Sequence, residues 1–398
     1  MKAGYGCKIF GAHQAFMGIK DAAVLLHSVV GCNFSSMGMH FTACDMTDVR
    51  QTCTVISDSD VVFGGERSLR MALENMAELY RPPLIIVLTG CVSDIVQDDA
   101  ESVCREFEKS SGIKTIFMEA AGYRGSLEDG YENALRLLGR EMEDKKPGRS
   151  EVPKINILGL GADDFRSRFD IREIKRLLEP KVEIGCIFGD CSFDEVKKCS
   201  DADLNIVIGR GFKLAEYMKE RFGIPFGEVD FPYGLTGIRA IWDLLSKHFG
   251  LDYSSEEKGF REYTAEELKR SYSYIQSLYG LPVAVIGSRA RAKGLSRFLS
   301  SELGMEVEVC AFREEHRDMD DVYEKIRSSD SAMVFASSFE KDISLELSIA
   351  HLAYDFPVFD RITLSDRPYA GAKGTLCLIE DILNVITQSR SVERPLYR

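Results

Sequence analysis

Short β-rich runs alternate with longer amphipathic stretches along almost the whole chain, and this alternation constrains the fold more than any other feature. The runs Ala22–Leu26, Leu84–Thr89, Lys114–Met118, Lys154–Leu158, Val182–Ile187 and Leu204–Ile208 are rich in Val, Ile and Leu. So are Pro282–Ile286, Glu306–Ala311, Ala332–Ala336 and Pro357–Phe359. Short apolar runs bounded by turn formers read as buried strands. Between them, Ser68–Tyr80 carries Leu69, Leu73, Met76 and Leu79 at intervals near the ~3.6-residue helical period. Asp94–Lys109, Lys213–Phe222, Ala265–Leu278, Ala292–Leu303 and Thr375–Ile386 follow the same pattern. Strand, helix and strand at this cadence predict an α/β fold of mainly parallel sheets with helices on both faces.

The 398 residues exceed what one hydrophobic core of about 150 residues organises. Two stretches interrupt the alternation. Asp144–Ser150 is polar and contains Pro147 and Gly148, and Asp252–Glu262 is charged and poor in apolar residues. They divide the chain into three α/β units, 1–148, 149–262 and 263–398.

Lys and Arg number 50 against 63 Asp and Glu, a net charge of -13. That balance argues against a nucleic-acid partner, which would require clustered cations facing phosphates. No run approaches the ~18 apolar residues of a membrane helix, and the N-terminal residues have no apolar signal-peptide core. The expectation is a cytoplasmic protein with no membrane partner. GxxxxGK[ST] is absent, so the chain is not expected to hydrolyse a nucleotide through a P-loop; GxGxxG and GxSxG are absent too.

The 11 cysteines carry more information. They are odd in number and contain no CxxC pair, which disfavours a disulfide framework or a zinc ribbon. Buried inert thiols and iron–sulfur ligands remain. Cys32 follows Gly31 and Cys91 follows Gly90, each just past a strand, where open α/β sheets deliver side chains to ligands. Cys7 lies near the N-terminus. Spacing alone leaves these three between a ligand role and packing. Packing is the expected role for Cys44, Cys53, Cys104, Cys199, Cys310 and Cys377, and also for Cys186 and Cys191 despite their Gly-turn context. His13, His27 and His40 lie near the three cysteines in sequence, and for each a core or hydrogen-bonding role is expected over ligation.

The surroundings of the cysteines narrow the choice. Cys7, Gly18-Ile19-Lys20-Asp21 and His27-Ser28-Val29-Val30-Gly31-Cys32 together resemble the start of nitrogenase component 1 subunits. Asp60-Val61-Val62-Phe63-Gly64-Gly65-Glu66, Thr89-Gly90-Cys91 with Asp98-Asp99-Ala100-Glu101-Ser102, Gly122-Tyr123-Arg124-Gly125 and Phe356-Pro357-Val358-Phe359-Asp360-Arg361 fit the same family. The resemblance implies three Rossmann-like domains per subunit. It also implies a homologous α-type partner in a heterotetramer, and a separate ATP-hydrolysing iron–sulfur reductase protein that docks and delivers electrons singly. Cys7, Cys32 and Cys91 match the positions that hold an iron–sulfur cluster (8Fe-7S or 4Fe-4S) at the subunit interface.

The departures from the family pattern are informative. Gly209 stands where the catalytic subunit of nitrogenase has a cofactor cysteine, and Ala370 of Arg367-Pro368-Tyr369-Ala370-Gly371 where it has a histidine. Neither residue offers iron a lone pair. Gly122 stands where a β-subunit carries a serine able to ligate its cluster, and Arg124 would place a cation beside the cluster. The resemblance therefore implies a β-type electron-relay subunit whose catalytic site lies on the partner. Its length is short for a nitrogenase β-subunit, so a substrate other than dinitrogen is expected. A scaffold for assembling a nitrogenase-type metallocofactor is the alternative, ahead of a tetrapyrrole reductase subunit.

Overall fold

The computed structural model describes residues 6–43, 50–144, 152–179, 181–316 and 318–388. Among them lie three sheets of four parallel strands with one strand order repeated. In the first, β1 (Ala22–His27) and β3 (Leu84–Thr89) are central, with β2 (Gln51–Cys53) and β4 (Lys114–Glu119) outside them. In the second, β5 (Lys154–Leu158) and β7 (Leu204–Ile208) lie between β6 (Glu183–Ile187) and β8 (Phe226–Val229). The third places β9 (Pro282–Gly287) and β11 (Met333–Ala336) between β10 (Glu306–Phe312) and β12 (Ala350–Ala353). In each sheet the chain reverses direction of growth between the two central strands, and a crevice opens at their carboxyl ends.

Both faces of the central strands are buried, which is why the sequence shows continuous apolar runs rather than alternation. Alternation governs which core each residue joins. Ala22, Val24 and Leu26 of β1, with Leu84, Ile86 and Leu88 of β3, face a core shared with the middle sheet. Ala23, Leu25, Ile85 and Val87 face an outer core under the helices Glu66–Tyr80 and Ala100–Ser111. The third sheet splits likewise, Val283 and Val285 inward and Ala284 and Ile286 outward.

The helices Lys8–Phe16 and Leu127–Leu138 cross so closely that neither tolerates a side chain at the contact. A Cβ on Gly11 would lie 1.8 Å from the Leu127 carbonyl oxygen, and one on Gly130 2.0 Å from that of Lys8. This crossing fixes the start of the first helix, where Cys7 pairs with Ser126 in an isolated antiparallel bridge.

The expected strands other than Pro357–Phe359 fall within a residue or so of their predicted ends. Pro357–Phe359 is a loop, and Ala350–Ala353 takes the sheet edge beside β11 instead. Proline has no N–H to give a ladder. The edge strands β2, β8 and β12 were not anticipated; three or four residues carry too little periodicity to register. The predicted helix Asp94–Lys109 is two helices, Cys91–Val96 and Ala100–Ser111. They break at Gln97 (φ 61°), and the Asp99 side chain caps the second by accepting the Ser102 N–H. Residues 254–262 of the polar stretch 252–262 form the first half of the helix Ser254–Arg270. Most of the other polar stretch, 145–150, lies outside the described residues. No helix among the described residues is long and apolar enough to cross a membrane.

Candidate functional site

The crevice of the first sheet gathers Cys7, Cys32 and Cys91. Cys7 is the N-cap of the helix Lys8–Phe16, Cys32 lies in the first turn of Val30–Ala43, and Cys91 opens Cys91–Val96 straight after Gly90. A Cβ on Gly90 would fall 2.6 Å from Ser28 Cβ, so glycine lets the turns after β1 and β3 touch. Gly122, just past β4, lies between two of the sulfurs. Its N–H donates to Cys91 Sγ at 3.1 Å, and a Cβ there would lie 2.8 Å from Cys7 Sγ and 3.5 Å from Cys91 Sγ. Burial, and then the adjoining Cys7 and Cys91 thiols, push the Cys32 thiol above its ordinary pKa. All three thiols are free and partly exposed.

Among the described residues, no three His, Cys, Asp or Glu side chains converge to hold a single metal ion. An iron–sulfur cluster makes a different demand, because each thiolate takes its own iron. The all-sulfur donors, the space kept clear by Gly122 and its N–H aimed at sulfur fit such a group.

Two sequence motifs brace this crevice. His27, fully buried at the end of β1, contacts Thr54 Oγ1 at 3.1 Å and Asp98 Oδ2 at 3.0 Å, while Asp98 Oδ1 accepts the Gly65 N–H at 2.8 Å. A Cβ on Gly65 would lie 2.7 Å from Asp98 Oδ2 and 2.9 Å from His27 Cε1. The Gly-Gly turn and the Asp-Asp pair therefore meet at one histidine, which has a hydrogen-bonding role. Phe34, Val62, Phe63 and Ile95, on the elements that carry or flank the cysteines, are 68% to 86% exposed. Large apolar side chains gathered at the mouth of a polar cleft mark a protein-contact surface.

Arg124 does not present a lone cation to the sulfurs. Its Nε donates to Asp94 Oδ2 at 2.9 Å, Tyr123 OH donates to the same oxygen, and Glu119 lies 3.6 Å away. Arg124→Met is therefore expected to leave stability essentially unchanged, as for an exposed pair screened by solvent, and coincident urea midpoints of the two proteins check it.

The sequence profile of the nitrogenase component 1 type oxidoreductase family matches residues 7–387. The chain belongs to that family. It is 31% identical over 323 residues to the nitrogenase iron-molybdenum cofactor biosynthesis protein NifE of Methanosarcina barkeri, covering 76% of this chain and 68% of that protein. The nitrogenase molybdenum-iron protein alpha chain of the same organism is 28% identical over 332 residues, 79% of this chain and 60% of its own. The beta chain from Methanococcus maripaludis is 26% identical over 446 aligned positions, 96% of this chain and 93% of that one. Among solved structures, nitrogenase Cp1 at pH 6.5 superposes with a TM-score of 0.84 over 100% of this chain and 96% of the other at 20% identity, which shows a common fold.

Within this component 1 fold, the two positions singled out for cofactor ligation have no room for a ligand. Gly209 has φ +73°, and a Cβ on it would fall 2.3 Å from Ala290 Cβ. Ala370 is fully buried, with its N–H and that of Tyr369 donated to Asp170 Oδ1 at 2.8 and 2.5 Å. A nitrogenase-type cofactor held by Cys and His at those positions does not fit this chain. Side-chain pairs fill the junction of the three sheets: Arg210 with Gln14 (2.9 Å) and Asp164 (3.4 Å), and Arg291 with Asp164 (3.2 Å).

Beside these pairs a cavity of about 540 Å³ is lined by Glu128, Arg210, Ser288, Arg313, His316 and Phe356, among others. Burial pushes the Glu128 carboxyl up to about 7 from its usual 4.5. A carboxyl with a raised native pKa costs nothing below the unfolded value; the cost grows as pH rises from the unfolded to the folded pKa and is complete above it. Glu128→Gln is therefore expected to raise stability at pH 8 but not near pH 4.5. The gain is about 1–2 kcal/mol, discounted because the side chain is only partly buried. The pH dependence of the difference in Tm measures this.

Cys186 and Cys191 are buried at the seam of the first and middle sheets, where the Cys191 carbonyl accepts the Lys20 N–H at 2.8 Å. Burial pushes the Cys186 and Cys199 thiols up, as expected of packing residues. Cys104 is likewise buried, whereas Cys44 lies outside the described residues. His13 and His40 are buried in edge contact, 4.8 Å between ring centroids.

Cys53 was expected to pack, and it lies partly buried against the core shared with the middle sheet. At the end of β2, its Sγ accepts the Val55 N–H at 3.4 Å and lies 3.3 Å from the Ser28 carbonyl oxygen, on the turn that leads to Cys32. What the sequence reading missed here is the strand β2 itself: the β-branched residues Thr52, Thr54, Val55 and Ile56 break off too soon to read as one.

Proposed function

We propose that this chain is a cytoplasmic, β-type subunit of a nitrogenase-like reductase. In this reading it is built from domains 1–148, 149–262 and 263–398 and pairs with a homologous α-type subunit. Cys7, Cys32 and Cys91 hold one side of an iron–sulfur cluster at the seam, and substrate chemistry belongs to the partner. The observation that carries the reading is the convergence of three partly exposed thiols, Cys7 and Cys91 beside Gly122 and Cys32 adjoining them, within a rim of exposed apolar side chains.

A bound cluster would supply one-electron storage at low potential, fed by an ATP-hydrolysing reductase protein. The chain's own residues do the rest. Three thiolates hold the irons. The Gly122 N–H, directed at Cys91 Sγ, withdraws electron density from that sulfur and favours the reduced state. Phe34, Phe63 and Ile95, once covered by a partner, exclude water. With Gly209 and Ala370 unable to ligate, electrons would leave this chain for chemistry elsewhere.

A scaffold role in cofactor assembly is the second reading, favoured by the similarity to the NifE cofactor biosynthesis protein. Anaerobic co-purification with the partner tests the common core of both: several irons per heterodimer are expected, and a colourless, iron-free complex would overturn it. Addition of the reductase protein and ATP then separates them. A relay is reoxidised repeatedly as substrate turns over, whereas a scaffold hands a metallocofactor to an acceptor and stops.

A further inference from the structure

Cys7 and Cys32 stand on different helices, Lys8–Phe16 and Val30–Ala43, and buried side chains tie those helices together. Ser36 Oγ contacts His13 Nδ1 at 2.6 Å. Phe10 stacks on His40 with ring centroids 4.6 Å apart, and His13 meets the same ring in edge contact. One carboxylate, from the turn after β5 of the middle sheet, joins both helices. Asp163 Oδ2 accepts the Gln14 Nε2–H at 2.7 Å from the first helix and lies 3.0 Å from His40 Nδ1 of the second.

His13, His40 and Asp163 are fully buried, and Ser36 and Gln14 are nearly so. Apolar side chains would join two helices at less cost, because buried polar groups give up water and recover it only through directed hydrogen bonds. Here the recovery is incomplete, since His13 Nε2 and Asp163 Oδ1 have no hydrogen-bond partner among the described residues. What a short Ser–His bond adds over apolar packing is one setting of a helix against its neighbour. Apolar surfaces repack after a small slide, whereas a directed bond is lost. That setting reaches the thiols. At ~1.5 Å per residue, Ser36 lies about 6 Å along its helix from Cys32, and His13 about 9 Å from Cys7.

We propose that Ser36 and His13 are positioning residues for the cluster site, and that their bond sets the spacing of Cys7 from Cys32. Asp163, through Gln14 and His40, anchors the pair to the middle sheet. Neither Ser36 nor His13 is a ligand; each acts through the helix that carries a thiolate. A site of this kind needs its donors held to within about 0.5 Å. The glycine crossing with Leu127–Leu138 restrains the helix Lys8–Phe16 on one side, and the bond to Ser36 restrains it toward Cys32. The inference rests on the reading of the three thiols as cluster ligands.

Release of iron from the co-purified complex to a ferrous chelator, followed without oxygen, tests the proposal with Ser36→Ala. The matched control is Ser344→Ala. Ser344 is buried and contacts His351 Nδ1 at 3.1 Å, on the helix Lys341–Glu346, which carries no cysteine. Each variant deletes one Ser–His bond, so a merely structural role predicts the same behaviour of the two. Ser36→Ala should release iron about tenfold faster than the parent, the lower end of what losing an outer partner of a ligand does. It should also alter the electron paramagnetic resonance spectrum of the reduced cluster, and Ser344→Ala should match the parent in both measurements. An unchanged release rate and spectrum in Ser36→Ala, or equal changes in the control, would overturn the positioning role and leave the cluster reading standing. A parent complex without iron would overturn both.

Discussion

Replacing Cys91 by alanine is expected to strip the iron from the co-purified complex while leaving the fold in place. The side chain is partly exposed at the start of a short helix, so losing its sulfur should cost no more than about 1 kcal/mol of stability. Its role in holding metal is another matter. Loss of even an outer partner of a metal ligand weakens binding ~10- to 100-fold, and loss of a ligand should do no less. The Gly122 N–H would then have no sulfur to meet. Cys104→Ala is the matched control, since that thiol is buried in the outer core and pushed up to about 12 by burial, which keeps it protonated and inert. Iron analysis and visible absorption of the two variants, side by side, check the expectation. Full iron in Cys91→Ala, or equal loss in both variants, would contradict it.

Gly11→Ala and Gly130→Ala should each destabilise the chain by ~3 kcal/mol or more, the upper end of what overpacking causes. The atoms met are backbone. At Gly11 the new Cβ would lie 1.8 Å from Leu127 O, and at Gly130 2.0 Å from Lys8 O and 2.8 Å from Ala12 N. No rotamer change relieves such a clash; one helix must move off the other. The moving helix begins at Cys7, so the same substitutions should lower iron retention. Gly38→Ala, in the helix Val30–Ala43 with nothing within 4 Å of the added carbon, is expected to be neutral or stabilising by up to ~1 kcal/mol. Thermal unfolding of the three variants separates the cases, and a Tm for Gly11→Ala at or above that of the parent would refute the close-contact account.

The central strands were legible in the sequence because both faces are buried, and a run such as Leu84–Thr89 admits no other reading once helices flank it. The edge strands β4, β6 and β10 were legible too, but β2, β8 and β12 were not, because they are only three or four residues long and gain their pairing from a neighbour the sequence does not display. The crevice cysteines could be named from the glycines beside them and from the motif set, but the reason for Gly122 could not, since it depends on two sulfurs from distant turns. His27 was correctly read as a hydrogen-bonding residue, although its partner Asp98 lies 71 residues away. The seam between the first and middle sheets had no sequence signal at all. Arg166 is an ordinary residue in local context, and only packing reveals that it is buried with two unpaired nitrogens, whereas His13 takes the core role expected of it.

Anomalous diffraction at the iron absorption edge, from crystals of the co-purified complex grown without oxygen, addresses the central claim most directly. The account predicts one compact iron peak per subunit pair, in contact with Sγ of Cys7, Cys32 and Cys91 and covered on its far side by the second subunit. An iron peak elsewhere in this chain, or the three sulfurs facing solvent with no subunit across from them, would contradict it.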